Sequence, residues 1–164
     1  MTDKRIPALQ KHAKSTGRVN ATFIGGPLKN FDTDDVSLRY FPRPTPSIPA
    51  SWSVSGNSEL QDGFYVGFTF SFHADVFSGE HGLPADKLDV YCVRLPEGGG
   101  VFYEYNVIKG TVKFTLDEQS KRIHGSTSCR LVGSDDIPFD LSAVFNVEGI
   151  DAVFHRLHAS RQKV

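Results

Sequence analysis

Between residues 64 and 73 the chain alternates strictly. Phe64, Val66, Phe68, Phe70 and Phe72 are separated by Tyr65, Gly67, Thr69, Ser71 and His73. A period of two with one apolar face predicts a half-buried strand of an antiparallel sheet. Wound as a helix, the same phenylalanines would scatter around the axis. The rhythm repeats downstream. Residues 88–95 are apolar on both faces, with Leu88, Val90 and Cys92 opposing Tyr91, Val93 and Leu95, which predicts a central strand. A glycine-rich turn at 96–100 leads into a strand over 101–108. Lys109-Gly110 interrupts, and a further strand follows over 111–116. A polar loop at 117–121 precedes a strand over 122–132. The last clear strand carries Phe139, Leu141, Ala143, Phe145 and Val147 on its inner face. Upstream, shorter strands are expected over 19–24, 36–41 and 52–55. The four prolines between 42 and 49 make that segment an extended connector.

Strands at short spacing with turn residues between them describe an all-β protein, an antiparallel β-sandwich or flattened barrel of about eight or nine strands. After Glu148-Gly149 the spacing changes. Ile150, Val153, Phe154 and Leu157 fall at helical intervals and predict a short C-terminal helix. Residues 1–18 are polar and basic and are expected to form a flexible N-terminal arm, leaving 19–164 as a single β domain.

The composition supports this reading. Thirteen Phe and five Tyr favour strands, and 15 Gly with nine Pro supply turns. The net charge of −1 conceals an uneven distribution: residues 1–20 sum to +4, residues 151–164 to +2, and the body between them to −7. An acidic body argues against nucleic acid, whose binding needs concentrated positive charge. No apolar run is long enough for a membrane helix and the N-terminus lacks a signal-peptide core, so a soluble, cytoplasmic protein is expected. Cys92 and Cys129 match no metal spacing and are expected as buried free thiols.

Candidate chemistry is sparse. His73, Asp75, Glu80 and His81 are four metal-ligand-type residues within nine positions, and they are the candidate metal site or acid–base set. Their spacing matches no established pattern, and a solvated polar loop is the simpler reading. His124 could join them only if its strand lies alongside. Residues 30–35 resemble the front of a calcium loop, but Asp35 stands where the sharp turn needs glycine and Phe41 where a bidentate glutamate belongs, so a turn is expected. Residues 43–49 satisfy an Arg-x-x-Pro-x-x-Pro ligand pattern, although such patterns arise often in proline-rich loops and the rigidity of a connector is the preferred reading. Gly98-Gly99-Gly100 joins two strands and is a hairpin, not a phosphate loop.

No catalytic set assembles from these residues and no cofactor is implied. The leading expectation is a non-catalytic binding or interaction protein for a small molecule or a protein partner. It could act as a homo-oligomer, with Tyr65, Tyr91, Tyr103 and Tyr105 as the surface aromatics that form a binding patch. Two alternatives stand beside it: a carrier of an apolar molecule in a phenylalanine-lined barrel cavity, and a metal-dependent enzyme built on His73, Asp75, Glu80 and His81.

Overall fold

The computed structural model describes residues 14–43 and 45–151. Ten antiparallel strands form one nearly closed, barrel-like sheet: β1 (Thr16–Ile24), β2 (Phe31–Thr33), β3 (Val36–Phe41), β4 (Ser51–Asn57), β5 (Phe64–His73), β6 (Gly79–Leu83), β7 (Leu88–Pro96), β8 (Tyr103–Asp117), β9 (Arg122–Val132) and β10 (Phe139–Glu148). Around the barrel the order is β2-β1-β10-β9-β8-β7-β5-β4-β3, with β6 paired to the far half of β8. The fold is therefore the expected all-β barrel. The C-terminal helix is not borne out: Ile150 and Asp151 are irregular, and the rest of that segment lies outside the described residues. Most of the expected N-terminal arm also lies outside them. Within the described part β1 begins at Thr16, and Ser15 is buried.

Two strands escape the sequence pattern because they are too short to show a rhythm. Phe31–Thr33 pairs with β1, and Gly79–Leu83 pairs with β8. In the other direction, the two strands expected on either side of Lys109-Gly110 are one. β8 runs through that point with an irregularity between Val107 and Lys109. An extra residue there reverses which side chains face inward. Before it the inward positions are Tyr105 and Val107, and after it Val112, Phe114 and Leu116.

The interior is filled. Phe68, Phe70, Phe72, Phe114 and Phe145 are all fully buried. The Phe70 ring lies 5.0 Å from Phe72, 5.2 Å from Phe114 and 5.7 Å from Phe145, centroid to centroid. A second aromatic group, Phe23, Phe31, Tyr105 and Phe139, continues the core toward the end that carries the β1–β2 and β9–β10 turns. At roughly 1.5–3 kcal/mol for each large apolar side chain buried, this continuous core is the main source of stability.

Sharp curvature of the sheet needs glycine where strands pinch together. A Cβ at Gly125 of β9 would stand 2.3 Å from the Lys113 carbonyl oxygen and 2.7 Å from the Phe145 ring. At Gly56 of β4 it would stand 2.6 Å from Val19 of β1, each one strand in from the line where the two edges of the sheet, β2 and β3, meet. That meeting line is closed by polar groups rather than a full ladder. The Leu38 N–H donates to Ser15 Oγ (2.8 Å), the Ser15 hydroxyl donates to the Gly149 carbonyl (2.6 Å), and the Asp151 N–H donates to the Leu38 carbonyl (2.9 Å). Thr33 Oγ1 and the Asn57 backbone continue the seam.

Candidate functional site

The residues singled out in the sequence do not gather at one place. His73 ends β5 on the outer face. Asp75 lies in the following turn, where the Lys87 ammonium at 2.6 Å holds its carboxyl below the usual carboxylate range. Glu80 is exposed on β6 in register with Lys113. His81 faces the opposite way, its ring 5.7 Å from Phe114 and its Nε2 2.8 Å from the Phe77 carbonyl. His124 is exposed on the outer face of β9 between Thr115 and Asn146. Among the described residues no three of His, Cys, Asp and Glu come together in a way that could hold a metal ion.

The tyrosines also part company. Tyr65 is exposed and Tyr91 half-buried on the outer face of β5 and β7. Tyr105, expected on the surface, is only 6% exposed and packs edge-on against Phe139, which corrects that expectation. The β8 irregularity is the cause, since it turns the odd-numbered residues before it into the barrel. Burial pushes the Tyr105 phenol above its ordinary pKa. The proline-rich segment is not an extended ligand either. Thr45 to Ile48 fold into a turn closed by the Ile48 N–H on the Thr45 carbonyl (3.2 Å), and the Arg43 guanidinium bonds the Pro46 carbonyl.

A broad concavity of about 940 Å³ is an open depression on the outer face of β8, β9 and β10 above Gly125. Its charges offset one another: Arg122 stands in register between Asp117 and Glu148, and its Nε donates to Asn146 Oδ1 at 3.1 Å. No nucleophile, base and oxyanion-stabilising group are aligned there in the way hydrolytic or transfer chemistry requires.

A different organisation emerges at one end of the barrel. The turns β1–β2, β4–β5, β7–β8 and β9–β10 all lie at this end, because it is where β1, β4, β7 and β9 finish and β2, β5, β8 and β10 begin. Of the twelve exposed large hydrophobics among the described residues, eight belong to it: Ile24, Leu60, Tyr65, Leu95, Val101, Phe102, Tyr103 and Ile137. Val101 is 79% exposed, Phe102 53% and Ile137 63%. The four turns carry Glu59, Asp62, Glu97, Asp135 and Asp136 against Lys29, a net charge of −4.

Arg94 closes the mouth of the barrel at this end. It is the fourth inward position of β7 after Leu88, Val90 and Cys92, and its backbone pairs with Val66 and Tyr103. Its guanidinium carbon lies 4.3 Å from the Phe64 ring centroid and 4.8 Å from that of Tyr103. Above it a small pocket of about 120 Å³ is lined by Pro27, Lys29, Gln61, Asp62, Phe64, Val66 and Arg94. A charged residue in the parity of a core strand was the available sequence signal for this site.

Comparison with known proteins yields no matching family model, no matching curated protein and no matching solved structure.

Proposed function

We propose that the protein is a non-catalytic interaction protein that docks a protein partner on the turn-bearing end of its barrel. The observation that carries this reading is the segregation of exposed apolar side chains. Among the described residues two-thirds of them sit at one end, whereas scattered exposure is what an unused surface displays. The partner that fits presents an apolar patch bordered by basic residues, complementary to turns of net charge −4. That charge also disfavours self-association end to end, since two such rims would repel. Interior rings in mutual contact at 4.5–6.2 Å direct binding to the surface rather than to a lumen.

The test places a photo-crosslinking amino acid at Phe102 and, in a second protein, at Phe77, which is more accessible still but at the opposite end. The expected result is one species captured from position 102 and not from 77. Once purified, that species should bind wild type with an affinity that falls as salt is raised. It should bind the Val101→Asp/Phe102→Asp/Ile137→Asp variant about thirtyfold more weakly or worse, as loss of a hot-spot cluster requires. Equal capture from both positions, or undiminished binding by the folded variant, defeats the reading.

A further inference from the structure

The pocket at the barrel mouth has a chemistry distinct from the apolar rim around it. Phe64 and Tyr103 meet the Arg94 guanidinium with their ring faces, which favour its charge but supply no oxygen or nitrogen acceptor for its N–H donors. Arg94 makes no ion pair with any carboxylate among the described residues. Its Nε is buried and matched by no protein acceptor. In the same pocket Gln61 Nε2 donates to the Asn30 carbonyl (3.4 Å), which fixes the amide and leaves Oε1 buried and matched by no protein donor. A buried donor and a buried acceptor each cost about 1–3 kcal/mol when unmatched, so a ligand that supplies both partners recovers that cost.

We infer that this pocket binds an α-amino carboxylate, with the carboxylate on Arg94 and the adjacent nitrogen donor on Gln61 Oε1. The guanidinium selects the carboxylate. The acceptor at Gln61 selects a neighbouring N–H, while Asp62 is already paired with Lys29 and the lining of Lys29, Asp62 and Arg94 carries a net charge of +1 that suits the carboxylate. A volume of about 120 Å³, the liquid share of roughly four waters, admits the carboxylate, the α-carbon and its nitrogen while any side chain projects outward. The same chemistry is presented by a free amino acid and by the C-terminal residue of a peptide. The site does not depend on the docking surface proposed above, and it is tested on the protein alone.

The probes are glycine, N-acetylglycine and propionate, titrated against the full-length protein while the Arg94 Nε–H resonance is followed by NMR. That resonance is assigned through its own side-chain carbons, so no variant is needed to identify it. Glycine or N-acetylglycine should shift it saturably, and propionate, which lacks the donor, should bind about tenfold more weakly. Tighter binding of glycine assigns the site to free amino acids, and tighter binding of N-acetylglycine assigns it to chain termini. In Gln61→Leu the preferred probe should fall to the affinity of propionate. No saturable shift with any probe, or equal affinity for all three, overturns the inference whatever the outcome at the docking surface.

Discussion

Replacing Ser15 by Ala tests how the barrel is closed. Ser15 is 2% exposed, precedes β1, and reaches across to β3, the far edge of the sheet. Its oxygen accepts the buried Leu38 N–H at 2.8 Å, and its hydroxyl donates to the Gly149 carbonyl at 2.6 Å. Alanine keeps the volume nearly constant but strands the Leu38 N–H, whose loss costs about 1–3 kcal/mol. The Gly149 carbonyl is only partly buried and can turn to water, so it adds little. The expected destabilisation is therefore about 2 kcal/mol, or a Tm lower by about 4–8 °C for a domain of this size. Urea denaturation measures it, with the slope unchanged because the exposed surface is the same. Ser126→Ala, on the solvated face of β9, is the control and should cost less than about 0.5 kcal/mol. Hydrogen exchange supplies a local readout, since the Leu38 amide should lose protection before its neighbours on β4. A cost no larger than the control, with Leu38 exchange unaltered, refutes the idea that this serine closes the seam.

The remaining expectations concern the core and its thiols. Gly125→Ala should cost about 3 kcal/mol or prevent folding, because the new methyl meets a backbone carbonyl as well as the Phe145 ring. Adding Phe145→Leu relieves only the ring contact, so recovery of wild-type thermal stability in the double variant contradicts this account. Phe70→Ala, which empties the centre of the ring cluster, should cost about 3–5 kcal/mol in chemical denaturation, and a loss under about 1 kcal/mol would mean the core collapses freely. Burial raises the Cys129 thiol from 9.0 to about 11 and raises Cys92 as well. Both are held neutral in the fold and ionise more readily when it opens, so their contribution is intact below about pH 9 and is lost as pH climbs toward 11. Urea midpoints measured across that window should fall more steeply for wild type than for Cys92→Ala/Cys129→Ala, and parallel curves would contradict the assignment.

The strands that could be read from the sequence are those long enough for alternation to repeat. The run from Phe64 to His73 coincides with β5, and Arg122 to Val132 with β9, because ten or so residues give the two-residue rhythm several cycles. β2 and β6, with three and five residues, offer at most two cycles, and β6 contains two glycines and a histidine that read as loop. The treatment of Lys109-Gly110 as a break has a more specific cause. A glycine beside a parity change looks like a turn, but in a tightly coiled sheet it also marks the place where one strand must bend past another. A Cβ at Gly110 would lie 2.3 Å from that of Cys129. The misplaced Tyr105 follows from that single ambiguity, since one residue of slip sends a side chain to the other face.

The candidate site was hidden for a related reason. Metal and acid–base motifs are sought as clusters along the chain, yet His73, Asp75, Glu80 and His81 alternate between faces once β6 forms, so closeness in sequence becomes separation in space. The barrel mouth is the reverse case. Val101, Leu60 and Ile137 lie far apart in the chain and share one end of the barrel only because four hairpins turn there. Arg94 did carry a local sign, for a guanidinium in line with Leu88, Val90 and Cys92 must either leave the core or stop it up. It does the second, its guanidinium set against two rings, and that position is costly unless something meets its buried Nε–H. A leucine there would close the barrel without that cost. The charge at this position is therefore better explained by recognition than by stability, and Arg94→Leu should leave the protein at least as stable as wild type in urea while abolishing binding of glycine and N-acetylglycine. A large loss of stability in that variant would return Arg94 to a structural role.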